Sequence, residues 1–360
     1  MRVVIAPDKF KGRLTAAQAA DAIERGMRAV LHDAEFVVAP MADGGEGTVD
    51  AFIRAGAQPR AVRVHGPLGD PVDAVFAVLD DTAIIEMAAA SGLELLAHDR
   101  RDVMHADTYG TGELLLAALD AGARRVIVGA GGSATNDAGT GFLRALGARF
   151  IDETGEVLDR AIARYARLEE IDLTHFDSRV RSVPIVIASD VDNPLCGSRG
   201  ASRTYAAQKG ANPAQIALLD LTFDHVADVA ARTLRRDQRD SPGAGAAGGL
   251  GYALLEFLGA RLERGVNVIA EELDLTQALH GASLCVTGEG KIDDQTLHGK
   301  TVSGVAELAR AQHVPVVAFA GVVEPRAKVE LEERGITVRE ADSGVLESAA
   351  RDYAAQFATT

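Results

Sequence analysis

Cysteine is scarce in this 360-residue chain, which has only Cys196 and Cys285 and no CxxC pair. Two isolated cysteines exclude a disulfide framework and a multi-cysteine zinc site, and they fit a reducing compartment. The nine histidines form no HxxxH or HExxH pattern, and the chain has no Gly-x-Ser-x-Gly elbow. The sequence therefore gives no support to a metalloprotease or a serine hydrolase.

The chain also lacks a net positive charge and long apolar runs. The formal net charge is −15, whereas a nucleic-acid-binding protein normally carries a basic face, so we expect no nucleic-acid partner. The short apolar run at residues 3–6 is followed at once by charged residues, and no stretch reads as a signal peptide or a transmembrane span. We expect a cytoplasmic protein with no membrane partner.

Short β-branched runs alternate with longer helical segments at both ends of the chain, a pattern typical of parallel α/β folds. The helix after the first run is predicted to begin with a capping box formed by Thr15 and Gln18. The predicted strands are 3–6, 36–39, 284–286, 314–320 and 336–338. Five such strands, with helices between and after them, predict a flavodoxin-like doubly wound sheet of order 2-1-3-4-5.

The middle of the chain has a different pattern of apolar runs. Runs at 62–64, 72–78 and 83–87 lie close together with turns between them, which favours antiparallel strands. Further strands are predicted at 125–128 and 184–188. A chain of this length is expected to form two domains. We therefore predict a discontinuous flavodoxin-like domain (1–60 plus 276–360) with a mixed α/β domain (61–275) inserted into it.

Polar clusters fall where strands of the first domain are predicted to end, the edge at which doubly wound sheets bind ligands. The switch point between the first and third strands should bring residues 8–11 beside 288–291. The alternative is that these are only turn residues, and Asp43 with Glu46 can also be read as a helix N-cap pair. The candidates are Asp8, Lys9 and Lys11, then Asp43, then Gly288 and Glu289.

A glycine-rich loop at 129–137 follows a predicted strand and precedes a predicted helix, so its backbone N–H groups could bind phosphate. Its hydroxyl, amide and carboxylate side chains favour the binding of phosphate and of a metal ion. Gly129, Gly131 and Ala134 also match a dinucleotide-binding fingerprint, with Asp152 at a distance suited to ribose, which keeps a nicotinamide-dependent oxidoreductase as an alternative. The candidates are Gly131, Gly132, Ser133, Thr135, Asn136 and Asp137.

Two carboxylates, Asp190 and Asp192, follow the predicted strand 184–188, where they could share a Mg²⁺ ion. The alternative is an Asx-turn before a proline. Downstream, Lys209 could neutralise a phosphate or a carboxylate, or it could simply be solvated. Residues 299–301 end like a Walker A loop, but Asp294 stands where the first glycine is required, which excludes a P-loop.

Seven motifs together resemble the bacterial glycerate kinase family, type I, in order from residue 2 to about 320. The resemblance implies ATP-dependent phosphorylation of D-glycerate, usually at the 2-hydroxyl, in a cleft between a flavodoxin-like domain and an inserted domain. Lys9 stands where the family commonly has serine. The motifs lie at residues 5–12, 42–48, 131–137, 190–195, 208–211, 243–251 and 287–290.

Such a transfer needs ATP, Mg²⁺, positioned cations and a proton acceptor. We expect the cations to be Lys9, Lys11 and Lys209. The proton acceptor is predicted to be Asp190, ahead of Asp43 and Asp8; the metal candidates are Asp190, Asp192 and Asp137. Phosphorylation at the 3-hydroxyl, an oxidoreductase and a non-catalytic nucleotide sensor stay open as alternatives. The sequence does not determine the oligomeric state, and a homodimer is one option.

Overall fold

The computed structural model describes residues 1–10, 12–297 and 300–359. No helix within these residues is both long and apolar enough to cross a membrane. The strands are β1 Arg2–Ile5, β2 Glu35–Val38, β3 Gln58–His65, β4 Pro71–Leu79, β5 Thr82–Glu86, β6 Arg125–Gly129, β7 Arg149–Asp152, β8 Val157–Leu158, β9 Leu168–Asp172, β10 Ile185–Ala188, β11 Arg261–Glu263, β12 Leu284–Ile292, β13 Val316–Val323 and β14 Ile336–Glu340. The helices are α1 Ala16–Arg28, α2 Thr48–Arg54, α3 Ala88–Ser91, α4 Tyr109–Asp120, α5 Thr140–Ala145, α6 Ala201–Tyr205, α7 Pro213–Leu234, α8 Leu250–Leu258, α9 Gly265–Glu272, α10 Leu275–Leu279, α11 Asp294–Leu297, α12 Thr301–Ala311, α13 Pro325–Glu333 and α14 Leu346–Phe357.

The chain forms two compact units. Unit 1 contains Met1–Asp43, Asp50–Gly56 and Arg264–Thr360, and unit 2 contains Gly44–Val49 and Ala57–Glu263. The predicted domain limits after residues 60 and 275 stay a prediction. The chain passes from one unit to the other after Asp43, Val49, Gly56 and Glu263.

Unit 1 contains a five-stranded parallel sheet with the order β2-β1-β12-β13-β14. Counted along this unit, that order is 2-1-3-4-5, which confirms the predicted flavodoxin-like topology. The central pairing joins residues far apart in sequence, since Val4 lies opposite Cys285. Residues 3–5, 284–286 and 317–320 of the central strands are completely buried, as expected for a sheet with both faces covered.

Helix α1 begins as predicted. Thr15 Oγ1 accepts a hydrogen bond from the Gln18 N–H over 3.1 Å, and Gln18 Oε1 accepts one from the Thr15 N–H over 2.9 Å. The reciprocal pair is a capping box, which satisfies two backbone donors at the helix start. Ala19, Ile23 and Met27 then recur at four-residue spacing and are completely buried in the core of unit 1.

The third strand of unit 1 is longer than predicted. The sequence predicts that it ends at residue 286, with residues 287–291 following it, but β12 continues to Ile292. Parallel pairing with β13 extends along this stretch, with Gly288 opposite Phe319. A Cβ atom at Gly288 would lie 2.4 Å from the Phe319 carbonyl oxygen, so glycine is required there by close packing. The glycines of this motif therefore lie in a strand rather than a turn.

Unit 2 contains a six-stranded mixed sheet with the order β11-β10-β6-β5-β4-β3. Strands β3, β4 and β5 are antiparallel, as predicted, whereas β5, β6, β10 and β11 run parallel. Ile85, Val128 and Ile187 lie side by side at its centre and are completely buried. The sequence analysis missed β11 and the small antiparallel sheet β8-β7-β9, whose strands are short and separated by irregular segments.

Candidate functional site

The site in unit 1 is centred on Asp8, which lies beyond the end of β1 and is buried. Its Oδ1 accepts the Lys9 N–H over 2.6 Å, and its Oδ2 accepts the hydroxyl of Thr301 over 2.6 Å. Burial and the charge of Asp43 raise the pKa of Asp8 to about 6, although both hydrogen bonds oppose the shift. Asp8 therefore changes charge much closer to neutral pH than an exposed aspartate does.

A second buried carboxyl group, Glu289, projects from β12 in the same unit. Its Oε1 accepts the hydroxyl of Thr296 over 2.5 Å. Burial, followed by repulsion from Asp8 and Asp293, raises the pKa of Glu289 to about 8, against the opposing effects of Thr296 and Lys300. At neutral pH this side chain is therefore largely protonated and can donate a hydrogen bond.

The two predicted segments of unit 1 do lie side by side. The Asp8 N–H donates to the Gly288 carbonyl over 2.8 Å, and the Gly290 N–H donates to the Lys9 carbonyl over 3.3 Å. Asp43 influences the pKa of Asp8 through its charge. Lys11 lies outside the described residues.

Sequence reasoning missed the two threonines that contact these carboxylates, Thr296 and Thr301. Both lie between Asp294 and the end of the Walker-A-like residues 299–301, a segment in which the sequence excludes a P-loop. Thr301 is the first residue of α12, and its side chain is completely buried. A threonine at a helix start is an expected hydrogen-bonding residue, but its acceptor, Asp8, is 293 positions away in the chain.

In unit 2 the predicted cation Lys209 is buried, at 2% exposure, at the end of a short 3₁₀ turn, Ala207–Lys209. Its ammonium group donates to Ser133 Oγ and to the Thr135 carbonyl, both over 2.6 Å. Burial lowers the pKa of Lys209 to about 7, and the charge of Asp137 opposes this shift. The lysine is therefore fixed against the glycine-rich loop rather than solvated.

The glycine-rich loop is bonded to the protein at several of its amides. The Gly131 N–H donates to the Gly44 carbonyl over 3.2 Å, and the Ala134 N–H donates to the Ser91 carbonyl over 2.9 Å. These two donors are used within unit 2, which weakens the prediction of a phosphate cradle at those positions. Gly132 has a φ of +73°, and a Cβ atom there would lie 2.7 Å from Glu46 Oε1, so this position requires glycine.

Thr135 and Asn136 are completely buried behind this loop. Asn136 Nδ2 donates to the Ser202 hydroxyl over 2.9 Å. Among the residues that the structure describes, neither Asn136 Oδ1 nor Thr135 Oγ1 has a hydrogen-bond partner. Two orphaned polar atoms in one buried segment are unusual, and they mark the segment as a site to which water or a ligand can add.

Asp137 accepts four hydrogen bonds within unit 2. Its Oδ2 accepts from the Thr108 N–H, the Thr108 hydroxyl and the Gly141 N–H over 2.9–3.0 Å, and its Oδ1 accepts from the Gly139 N–H over 3.0 Å. Burial and then repulsion from Asp107 raise its pKa. With its lone pairs used in this way, Asp137 joins the loop to the starts of α4 and α5. The geometry favours that structural role over the predicted metal ligand.

The alternative of a dinucleotide-binding loop is wrong. That fingerprint requires a helix to open within the glycine motif, whereas α5 begins only at Thr140. Asp152, the candidate ribose ligand, lies in β7 of the small antiparallel sheet. Its carboxylate is bonded to Thr154, Glu156 and Arg167.

Asp190 and Asp192 follow β10, as predicted, but they differ in environment. Both carboxylate oxygens of Asp190 are inaccessible to solvent. Asp192 is 72% exposed and forms an ion pair with Arg199 at 2.9 Å. The two aspartates therefore do not present equivalent oxygens to one ion.

A magnesium ion that is bound mainly through nucleotide phosphates needs only one or two carboxylates from the protein. The residues that the structure describes contain no group of three or more His, Cys, Asp or Glu side chains suited to a metal ion. Asp190 stays a predicted single ligand, Asp192 fits that role only if Arg199 is displaced, and the saturated Asp137 does not fit it.

Comparison with known proteins gives consistent findings. Residues 3–346 match the model of the glycerate kinase family. The chain is 48% identical over 327 residues to a glycerate kinase of Bacillus subtilis, covering 90% of this chain and 85% of the relative. It is 47% identical over 325 residues to a glycerate 2-kinase of Escherichia coli, covering 89% of this chain and 85% of the relative. A crystal structure provisionally named glycerate kinase 2, from Salmonella typhimurium LT2, superposes with a TM-score of 0.87 at 40% identity, covering 100% of this chain and 98% of the other.

Proposed function

Because the chain belongs to the glycerate kinase family, we propose that it transfers the γ-phosphoryl group of ATP to the 2-hydroxyl group of D-glycerate. The acceptor and donor follow from the family, and the choice of the 2-hydroxyl rests on the name of the Escherichia coli relative. The protein is a kinase that acts on a small molecule.

The observation that carries the proposal in unit 2 is the fixed ammonium group of Lys209 at the Ser133–Thr135 segment. Phosphoryl transfer depends on positioned cations that neutralise developing charge, and this acidic chain must supply them locally. An ammonium that already has two acceptors keeps one donor for a phosphate or carboxylate oxygen. We assign Lys209, with Ser133, Thr135, Asn136 and Gly132, to anion binding; Gly131 is left out because its N–H is bonded to the Gly44 carbonyl.

In unit 1 we assign the edge formed by Asp8, Lys9, Asp43, Gly288 and Glu289 to substrate binding and proton handling. The support is chemical, because two buried carboxyl groups with pKa values of about 6 and about 8 can exchange protons near neutral pH. Lys9 would contribute positive charge beside them. Lys11 keeps its proposed role as a catalytic cation on the ground of the resemblance alone.

Asp190 is our proposal for the group that accepts the proton of the attacking hydroxyl or binds Mg²⁺. Its position two residues after the end of a buried strand supports the rigid backbone that either role requires. Magnesium, when bound, neutralises phosphate charge. Asp190, and Asp192 once released from Arg199, would be its protein ligands.

Incubation of the purified protein with ATP, Mg²⁺ and D-glycerate tests the function, with phosphorus NMR identifying the product. We expect 2-phosphoglycerate. A 3-phosphate product would show that the 3-hydroxyl is the acceptor, and it would leave the kinase assignment in place. No phosphoglycerate from folded protein would overturn the proposal, and L-glycerate serves as the control acceptor.

We also propose a cytoplasmic location, because the two cysteines are both unpaired. The acidic balance of the chain supports the expectation of no nucleic-acid partner. Assembly as a homodimer stays a prediction, which light scattering of the purified protein tests directly.

A further inference from the structure

Arg239 lies in the segment between α7 and α8, and its side chain is only 16% exposed. Its Nη1 donates to Asp224 Oδ1 and its Nη2 donates to Asp228 Oδ1, both over 2.6 Å. Its Nε donates to Asp237 Oδ2 over 2.8 Å. One planar guanidinium group therefore fixes this segment against two carboxylates of α7 and a third of the segment itself.

The backbone of the same segment contacts the turn that follows Asp190. The Leu195 N–H donates to the Arg239 carbonyl over 2.8 Å, and the Gly245 N–H donates to the Asn193 carbonyl over 2.8 Å. Residues 190–195 are thus bonded to the 239–245 segment at two places. A displacement of Arg239 would be transmitted to the turn through these two bonds.

Helix α7 also fixes the far side of this turn. Asp220 accepts the Gly197 N–H over 3.0 Å and the Arg203 Nε over 2.9 Å. Asp220, Asp224 and Asp228 recur every four residues and so lie on one face of the helix. The like charges of these aspartates repel one another at this spacing. The planar guanidinium group of Arg239 forms directional hydrogen bonds, which fix the relative positions of the groups that it joins.

We infer that Arg239 is a positioning residue for phosphoryl transfer, which acts by fixing the 190–195 turn and therefore the carboxylate of Asp190. The inference rests on the proposed function of Asp190. A misplacement of about 1 Å at a reacting group can lower a rate by about a hundredfold, so loss of these bonds should be visible in kcat.

Hydrogen–deuterium exchange tests the structural half of the inference without an activity assay. In Arg239→Met we expect the amides of Leu195 and Gly245 to exchange at least about tenfold faster than in the wild type. The matched control is Arg179→Met, because Arg179 also bonds two aspartates, Asp177 and Asp120, but lies before β10 rather than after it. Unchanged exchange in Arg239→Met, or an equal increase in both variants, would overturn the inference.

Kinetics test the functional half. At saturating substrates we expect kcat of Arg239→Met to fall at least about tenfold, with partial recovery in Arg239→Lys and no change in Arg179→Met. Combined with Asp190→Asn, Arg239→Met should lower kcat by less than about twofold further, because residues that act as one unit are not additive. A fully additive loss contradicts positioning through Asp190.

The two proposals fail in different ways. If the wild type forms no phosphoglycerate, the proposed function fails, and amide exchange still decides whether Arg239 fixes the turn. If Arg239→Met does not fold, Arg239→Lys is measured in both assays. It keeps the positive charge but loses the fork geometry, so wild-type exchange and kcat in that variant would overturn the inference.

Discussion

The hydroxyl group of Thr301 donates to Asp8 Oδ2 over 2.6 Å, so a residue at the start of α12 stabilises the charged form of a carboxylate beyond the end of β1. Burial and the charge of Asp43 raise the pKa of Asp8 to about 6, and this bond is the strongest of the effects that oppose the rise. Thr301 therefore increases the fraction of Asp8 that is ionised near neutral pH.

Replacement of Thr301 by valine should raise the pKa of Asp8 above about 6. If ionised Asp8 is needed for the reaction, the acid limb of the kcat/KM profile will shift to higher pH by about one unit. Thr301→Ser, which keeps the hydroxyl, should leave the limb in place. An unshifted limb in Thr301→Val would contradict this role.

Glu289→Gln should stabilise the protein in alkaline solution. The pKa of Glu289 is raised from 4.5 to about 8, so between these values the folded state binds more protons than the unfolded state. The stability of the wild type therefore falls as pH rises through that window. We expect the variant to melt about 2 °C or more above the wild type at pH 8.5, with the difference disappearing below pH about 4.5. A constant difference at all pH values would show that Glu289 is not the titrating group.

Lys209 should give the pH–rate profile an alkaline limb. Its pKa is lowered to about 7, so the ammonium group loses its charge as pH rises through that value. If the charge binds an anionic substrate, kcat/KM of the wild type will fall there. Arginine stays protonated, so Lys209→Arg should lack this limb. Lys209→Met should be low at every pH, by about tenfold or more. A limb that persists in Lys209→Arg would have to arise from another group or from ATP.

Asp190→Asn should lower kcat by at least about a hundredfold, the scale of general-base removal. Asp192→Asn is the comparison variant, because Asp192 is exposed and would reach Mg²⁺ only after its ion pair with Arg199 is broken. We expect a much smaller loss there. Titration with Mg²⁺ separates the roles of Asp190, since excess metal will partly restore kcat only if the carboxylate is a ligand. Near-normal kcat in folded Asp190→Asn would exclude both roles.

The strand order of unit 1 could be predicted because each strand and helix carries its own local signal, such as the capping box at Thr15. The length of β12 could not, because it depends on backbone pairing with β13, which a local pattern around residues 287–291 does not record. The glycines there suggested a turn, since the neighbour that excludes a side chain at Gly288, the Phe319 carbonyl, is remote in sequence.

The candidate site likewise contains residues that the sequence indicates and residues that it does not. Residue types at predicted strand ends indicated Asp8 and Asp190 as candidates, and a lysine downstream of Asp190 indicated Lys209 as a candidate cation. Their partners could not be identified, because Thr301 and Arg239 contact them, or the turn beside them, across long stretches of chain. An arginine among aspartates reads as ordinary surface charge until the fold gathers three of them around it.

The pairing of β1 with β12 also has a consequence during synthesis of the protein. Residue 4 reaches its neighbour, residue 285, only after more than three quarters of the chain has left the ribosome. Until then the first 43 residues of unit 1 have only β1 and β2, and an isolated pair of strands is marginal at best in water. The long continuous segment of unit 2, Ala57–Glu263, is complete earlier and is free to fold first. We therefore expect the amino-terminal segment to gain its sheet partner late, after the long segment of unit 2 has been synthesised.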